Sequence, residues 1–257
     1  MRLMKRILSA AAVLALSASL LVGCSSTASS VPASASSAAE STVSSVEETA
    51  SSAVDENEAA AAQLLNDLTG SYQELWPVIL ADEYKQTWLD DCTALVGEDN
   101  AEAAFEKLSS MVTGDVYGED AVKAYANGGG AYFCGFTNSL AILTFDGETS
   151  TISGTDKDGN VLFSHTYHYI GMEPVRGLYE FQSDDADSGE FTYFFLAPDT
   201  SAETYHIEFR YGSDAEALSQ YDTGEYAYWL ASGISTDCDQ TMIDNCIELF
   251  CTENLAG

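Results

Sequence analysis

Beyond Gly128-Gly129-Gly130 the hydrophobic pattern switches to a period of two, and this switch constrains the fold more than any other feature of the chain. Residues 131–136, 140–145, 149–153, 161–170, 178–182, 191–196 and 204–211 read as strands. The turns between them are rich in Asp, Gly, Asn and Ser, which is the chemistry of antiparallel hairpins. Seven short strands at regular spacing predict an all-antiparallel barrel or sandwich.

Helical signals stand on both sides of this meander. Residues 60–68 are good helix formers, with Gly70 as a stop. Ser71-Tyr-Gln-Glu74 resembles a capping box, and Tyr72, Leu75, Trp76, Ile79 and Leu80 follow at helical spacing. Residues 83–95, 101–112 and 118–125 carry amphipathic patterns, and 214–220 and 241–251 return to helix. The predicted class is therefore α+β.

The N-terminus has another texture. Arg2, Lys5 and Arg6 precede an apolar run that ends in Leu21-Val22-Gly23-Cys24, which reads as a bacterial lipoprotein signal with Cys24 as the lipidated residue. Between Ser25 and Val54 there are 12 Ser and 7 Ala, too little apolar surface to offset ordering entropy. The expected organisation is a signal peptide at 1–23, the lipidated Cys24 and a Ser/Ala-rich tether at 24–58, and a folded domain at 59–257. The membrane is expected to be reached through the lipid anchor alone, in an extracytoplasmic location.

The chain has 41 acidic and 9 basic residues, a net charge of −32. Losing residues 1–23 would remove three of those bases and no acid. Nucleic-acid binding through phosphate neutralisation is excluded by the scarcity of Lys and Arg. An acidic surface attracts cations, and this is a weak, long-range argument for a cationic ligand.

Few motifs carry chemistry. Asp156-Lys-Asp-Gly-Asn160 opens like a calcium loop, but the position requiring a bidentate Glu is Tyr167, so a hairpin turn is expected. Asp184-Asp-Ala-Asp-Ser-Gly-Glu190 reads as a solvated hairpin loop. His206 and Glu208, two apart on a strand, project to one face and can supply two ligands to Zn²⁺. His168 faces away from Tyr167 and Tyr169 and is expected to pack against neighbouring aromatics; His165 carries no signal of its own. Serine-nucleophile, H-E-x-x-H and phosphate-loop signatures are absent, and no enzyme activity is expected. Besides Cys24 there are Cys92, Cys134, Cys238, Cys246 and Cys251, with no C-x-x-C; Cys238 and Cys246 could pair across the start of the last helix.

Several short segments stand in a telling order: Leu68-Thr-Gly-Ser-Tyr-Gln-Glu-Leu-Trp-Pro-Val-Ile-Leu80, Tyr132-Phe-Cys-Gly-Phe-Thr-Asn138, Tyr167-His-Tyr-Ile-Gly171 and Gly177-Leu-Tyr-Glu-Phe181. Phe194-Phe-Leu-Ala-Pro198 and Tyr205-His-Ile-Glu-Phe-Arg-Tyr-Gly212 complete the series. This order is similar to that of the ZinT domain of bacterial extracytoplasmic zinc-binding proteins, some of them fused to zinc-transporter receptor lipoproteins. The resemblance implies a calycin- or lipocalin-like antiparallel β-barrel with flanking helices. It also implies a zinc site in the barrel mouth made by three histidines. Carried onto this chain, those positions are Phe194, His206 and Glu208, so the ligand set is degraded, with His168 as a possible additional ligand. The implied function is divalent-metal capture at the cell surface, with zinc as the ligand and a zinc ABC-transporter receptor as a possible partner. The alternative is a metal-free module in which Phe194 and the tyrosines line a barrel mouth for a small organic ligand or a partner protein.

Overall fold

The computed structural model describes residues 56–197 and 206–256. The predicted signal peptide, Cys24 and nearly all of the tether lie outside the described residues, as does the start of the last predicted strand. Among the described residues no helix is long and apolar enough to cross a membrane.

Eight antiparallel strands close into a barrel in strict chain order. They are β1 (Gly70–Glu74), β2 (Ile142–Asp146), β3 (Thr151–Thr155), β4 (Val161–Met172), β5 (Tyr179–Ser183), β6 (Tyr193–Leu196), β7 (His206–Gly212) and β8 (Ala231–Ser235). Tyr72 opposite Ser235 and Glu74 opposite Gly233 join the first strand to the last. The α+β barrel expected from the alternation and the family resemblance is thus present, with one expected strand lost and two unexpected ones, β1 and β8, gained. Residues 131–136 make only isolated bridges, Phe133 pairing with Thr113 and Trp229. Ser71-Tyr-Gln-Glu74, expected to cap a helix, is β1 itself; the helical spacing misled because Tyr72 points into the lumen while Leu75, Trp76 and Ile79 belong to the next helix.

Eight strands enclose a space that side chains alone can fill. Here Leu143, Phe145, Ile152, Phe163, Tyr167, Phe181, Phe194, Phe209 and Tyr211 fill it. The helix through residues 56–67 (α1) adds Ala61, Leu64 and Leu65 to the same core. It approaches the β2–β3 turn so closely that a Cβ on Gly147 would stand 2.4 Å from the Asn66 Cα.

A second core lies outside the barrel. It is built by α2 (Leu75–Ile79), α3 (Lys85–Val96), α4 (Glu98–Val112) and α7 (Gln240–Leu255), around Trp76, Ile79, Trp88, Leu108, Ile243 and Ile247. Ile234 of β8 belongs to this second core, so the barrel wall has one lumen face and one helix-covered face. The shorter α5 (Glu119–Ala126) and α6 (Ala215–Leu218) complete the fold.

Arg210, on the outer face of β7, is fully buried. Its guanidinium donates to the carbonyls of Leu218, Gln220 and Tyr226. It also lies 4.4 Å from the centre of the Tyr221 ring, with Arg176 4.5 Å from the same centre. The Tyr221 hydroxyl donates to buried Glu173, 3.2 Å away. The two terminal nitrogens of the buried guanidinium are thus satisfied, while among the described residues its Nε has no hydrogen-bond partner.

Candidate functional site

The strand parity of β7 decides where the candidate ligands point. Ile207, Phe209 and Tyr211 are lumen residues, so His206, Glu208 and Arg210 face outward. On β8 their partners are Ile234, opposite His206, and Ser232, opposite Glu208. The helical layer covers this part of the wall. Glu74 ends β1, and its carboxylate accepts from the Phe136 N–H at 2.6 Å, which fixes the point where α2 departs. Leu75, Trp76 and Ile79 then descend toward the wall. On α7, Cys246, Leu249, Phe250 and Glu253 recur every three or four residues and present one face. The Trp76 and Phe250 rings meet edge to face at 4.7 Å.

Between these elements is a pocket of about 70 Å³, lined by Leu75, Trp76, Ile79, His206, Glu208, Cys246, Leu249, Phe250 and Glu253. Its polar groups are one imidazole, two carboxylates and one thiol, and His206 and Glu208 are half-buried. Burial pushes the Cys246 thiol up to about 12, with the charges of Cys238 and then Glu208 adding to the effect. Cys134, in the same helix-covered core, is also raised to about 12, by burial first and Glu208 second. Both thiols are therefore protonated at neutral pH, and ligation by Cys246 requires release of its proton. Among the described residues, no three His, Cys, Asp or Glu side chains already gather closely enough to hold a metal ion. The donor chemistry suits Zn²⁺, and metal uptake would need the side chains to converge.

The other expectations fare differently. Phe194 pairs with Tyr211 across β6 and β7 and is wholly buried in the lumen, packed against Phe163, Tyr167 and Phe209. It is separated from His206 and Glu208 by the barrel wall, so the three positions do not share a barrel mouth. His168 projects outward from β4, three strands from β7, and does not line the pocket. It is also not packed among aromatics: its side chain is 53% exposed and its Nδ1 lies 2.6 Å from Asp184 Oδ1. His165, for which the sequence carried no signal, stacks near Phe163 with its Nδ1 2.7 Å from Asp185 Oδ2. The Asp184-Asp185 pair is thus occupied by two imidazoles. Asp156 accepts from the N–H groups of Asp158 and Asn160, as a hairpin turn requires. Cys246 and Glu253 were missed as pocket residues; their seven-residue separation, two helical turns on one face, was the signal available.

Fold and pocket together define an antiparallel barrel protein whose polar pocket lies between the outer wall and a helical layer. The chain matches no family model and no curated protein. Among solved structures it is similar to the Zn(II)-bound ZinT-like domain of Streptococcus pneumoniae AdcA, at 15% identity and a TM-score of 0.45, over 72% of this chain and 89% of that one. It is similar also to Zn(II)-bound AdcA from the same organism, at 14% identity and a TM-score of 0.43, over 72% of this chain but 35% of that one.

Proposed function

We propose that this protein is a surface-tethered lipoprotein that binds a divalent cation, zinc in the first instance, and captures it for uptake. His206 and Glu208 are the ligands, with Glu253 and Cys246 of α7, which line the same pocket, to complete the set. Cys24 is the lipidated anchor, and a zinc ABC-transporter receptor is the partner that would accept the metal. The observation that carries this reading is that one imidazole, two carboxylates and one thiol line a single small pocket, from whose walls they would draw together around an ion. A space of about 70 Å³ accommodates an ion with its water, whereas pockets for organic ligands run to roughly 300–1,000 Å³. An organic ligand seated on Phe194 is disfavoured, because that ring has no exposed surface to offer.

The test is equilibrium zinc titration of the purified mature protein against a chromophoric chelator. Replacing His206 and Glu208 together by Ala is expected to weaken binding by at least about tenfold, with Glu253→Ala giving a smaller loss. Unchanged zinc affinity in the double variant would remove the site assignment.

A further inference from the structure

Cys92 and Cys251 are 159 positions apart in sequence, yet their Sγ atoms approach to 3.9 Å. Cys92 sits on α3 and Cys251 on α7, and both side chains are fully buried in the second core. A disulfide needs its sulfurs at about 2.05 Å, so a displacement of about 1 Å on each side would close the bond. The spacing of the sequence pointed elsewhere, to Cys238 and Cys246. Cys246 instead lines the pocket, and Cys251, further along α7, faces α3.

We propose that Cys92 and Cys251 form a native disulfide that ties α3 to the C-terminal helix. The oxidant is an external disulfide of low molecular mass or on a thiol oxidoreductase. One cysteine thiolate attacks it, forming a mixed disulfide and releasing one thiol. The second thiolate then attacks the protein sulfur of that mixed disulfide and releases the second thiol. The Sγ–Sγ bond forms, the oxidant's S–S bond is broken, and the two protons lost by the cysteines end on the two thiols released. The export signature at residues 1–24 fits a compartment where such bonds persist. Burial pushes both thiols above their ordinary range, so exchange is slow in the folded state. The bond therefore forms while α7 is still docking and is afterwards shielded from reductants. Because α7 also carries Cys246 and Glu253, the cross-link holds one wall of the small pocket in place.

Peptide mapping of the mature protein tests this directly. The protein is refolded with oxidised glutathione, denatured in an alkylating reagent and digested without reduction. The expected product is a Cys92 peptide joined to a Cys251 peptide, two hydrogens lighter than the sum of the reduced pair, with Cys134, Cys238 and Cys246 alkylated. Full alkylation of Cys92 and Cys251, or their linkage to other thiols, overturns the proposal. The map needs no variant and reads the same whether or not the pocket takes zinc. Thermal unfolding adds a second readout. Protein unfolded, reduced and refolded in dithiothreitol is expected to have a Tm lower than the oxidised protein by about 5–15 °C, and the combined Cys92→Ala and Cys251→Ala variant is expected to show no such difference. Equal Tm values for the oxidised and the reduced and refolded protein would also overturn it.

Discussion

Phe194→His puts back the residue that the family resemblance places at this position, and the barrel wall predicts that it will fail to restore a ligand. The Phe194 ring is fully buried, with Tyr211 and Tyr167 centred 5.3 and 5.4 Å away and Phe163 at 5.8 Å. An imidazole there forfeits part of the phenyl group's burial and brings two nitrogens into a lumen of rings. The nearby hydroxyls are committed, Tyr167 to the Phe191 carbonyl and Tyr211 to Thr137. Lost apolar burial and unmade hydrogen bonds together cost about 3–5 kcal/mol. In a domain of this size that lowers the Tm by roughly 8–15 °C. The deficit should grow as pH falls below about 6.5, because the unfolded chain then binds a proton that the apolar lumen refuses. Thermal unfolding followed by circular dichroism gives the stability, and chelator competition gives the zinc affinity, which should stay within about twofold of the parent. A variant that gains tenfold or more in zinc affinity at unchanged Tm would show that residue 194 and His206 do share one face, and the parity argument would fall.

Arg210→Met leaves three carbonyls of the 218–226 segment without their donor and should cost about 3–5 kcal/mol in urea unfolding, against about 1 kcal/mol for Tyr221→Phe, which removes one hydroxyl bond to Glu173. Asp91 and Glu180 titrate above the usual carboxylate range, chiefly through burial and then through neighbouring acids. The folded state therefore holds their protons more tightly than the unfolded chain. Stability should rise as pH is lowered from 7 toward their folded pKa values, and Asp91→Asn with Glu180→Gln should flatten that rise in a Tm-versus-pH series. Adding NaCl to about 0.5 M should raise the Tm by screening the acidic surface, and a fall would show that its few ion pairs outweigh its repulsions. Gly147→Ala forces a methyl against the backbone of α1 and should destabilise by about 2 kcal/mol or more, which denaturant unfolding would detect.

Where alternation was local and two-sided, the sequence was legible. β2 to β7 and the helices α3, α4, α5 and α7 fall close to the expected ranges; most bury one face and announce their period, while β6, Tyr-Phe-Phe-Leu, is a short continuous apolar run. The losses come at the seam. β1 is five residues long and runs directly into α2, so one apolar set, Tyr72 through Ile79, spans two periods and reads as a single helix. β8 reads Ala-Ser-Gly-Ile-Ser, whose small residues carry no hydrophobic alternation, although all but Ser235 are buried. Its neighbours explain the choice, since a Cβ on Gly233 would stand 3.1 Å from Ile207 Cγ1. The pairing of His206 with Glu208 could be read from spacing alone. That the wall would turn them toward α7 rather than the lumen could not, because the parity of β7 is fixed only once the barrel has chosen its inside.

The seam also sets the order in which the molecule can be assembled. The barrel closes only when residues 231–235 pair with residues 70–74, so no ring exists until nearly the whole domain has been synthesised. Contacts of such long sequence separation slow folding. Until that moment β1 and β8 present open edges, and the chain is exposed to intermolecular strand pairing. The small pocket straddles the same seam, since α2 follows β1 directly while His206, Glu208 and α7 belong to the other side. Its lining is complete only when the two sides of the seam are together, so a bound ion would register a closed barrel.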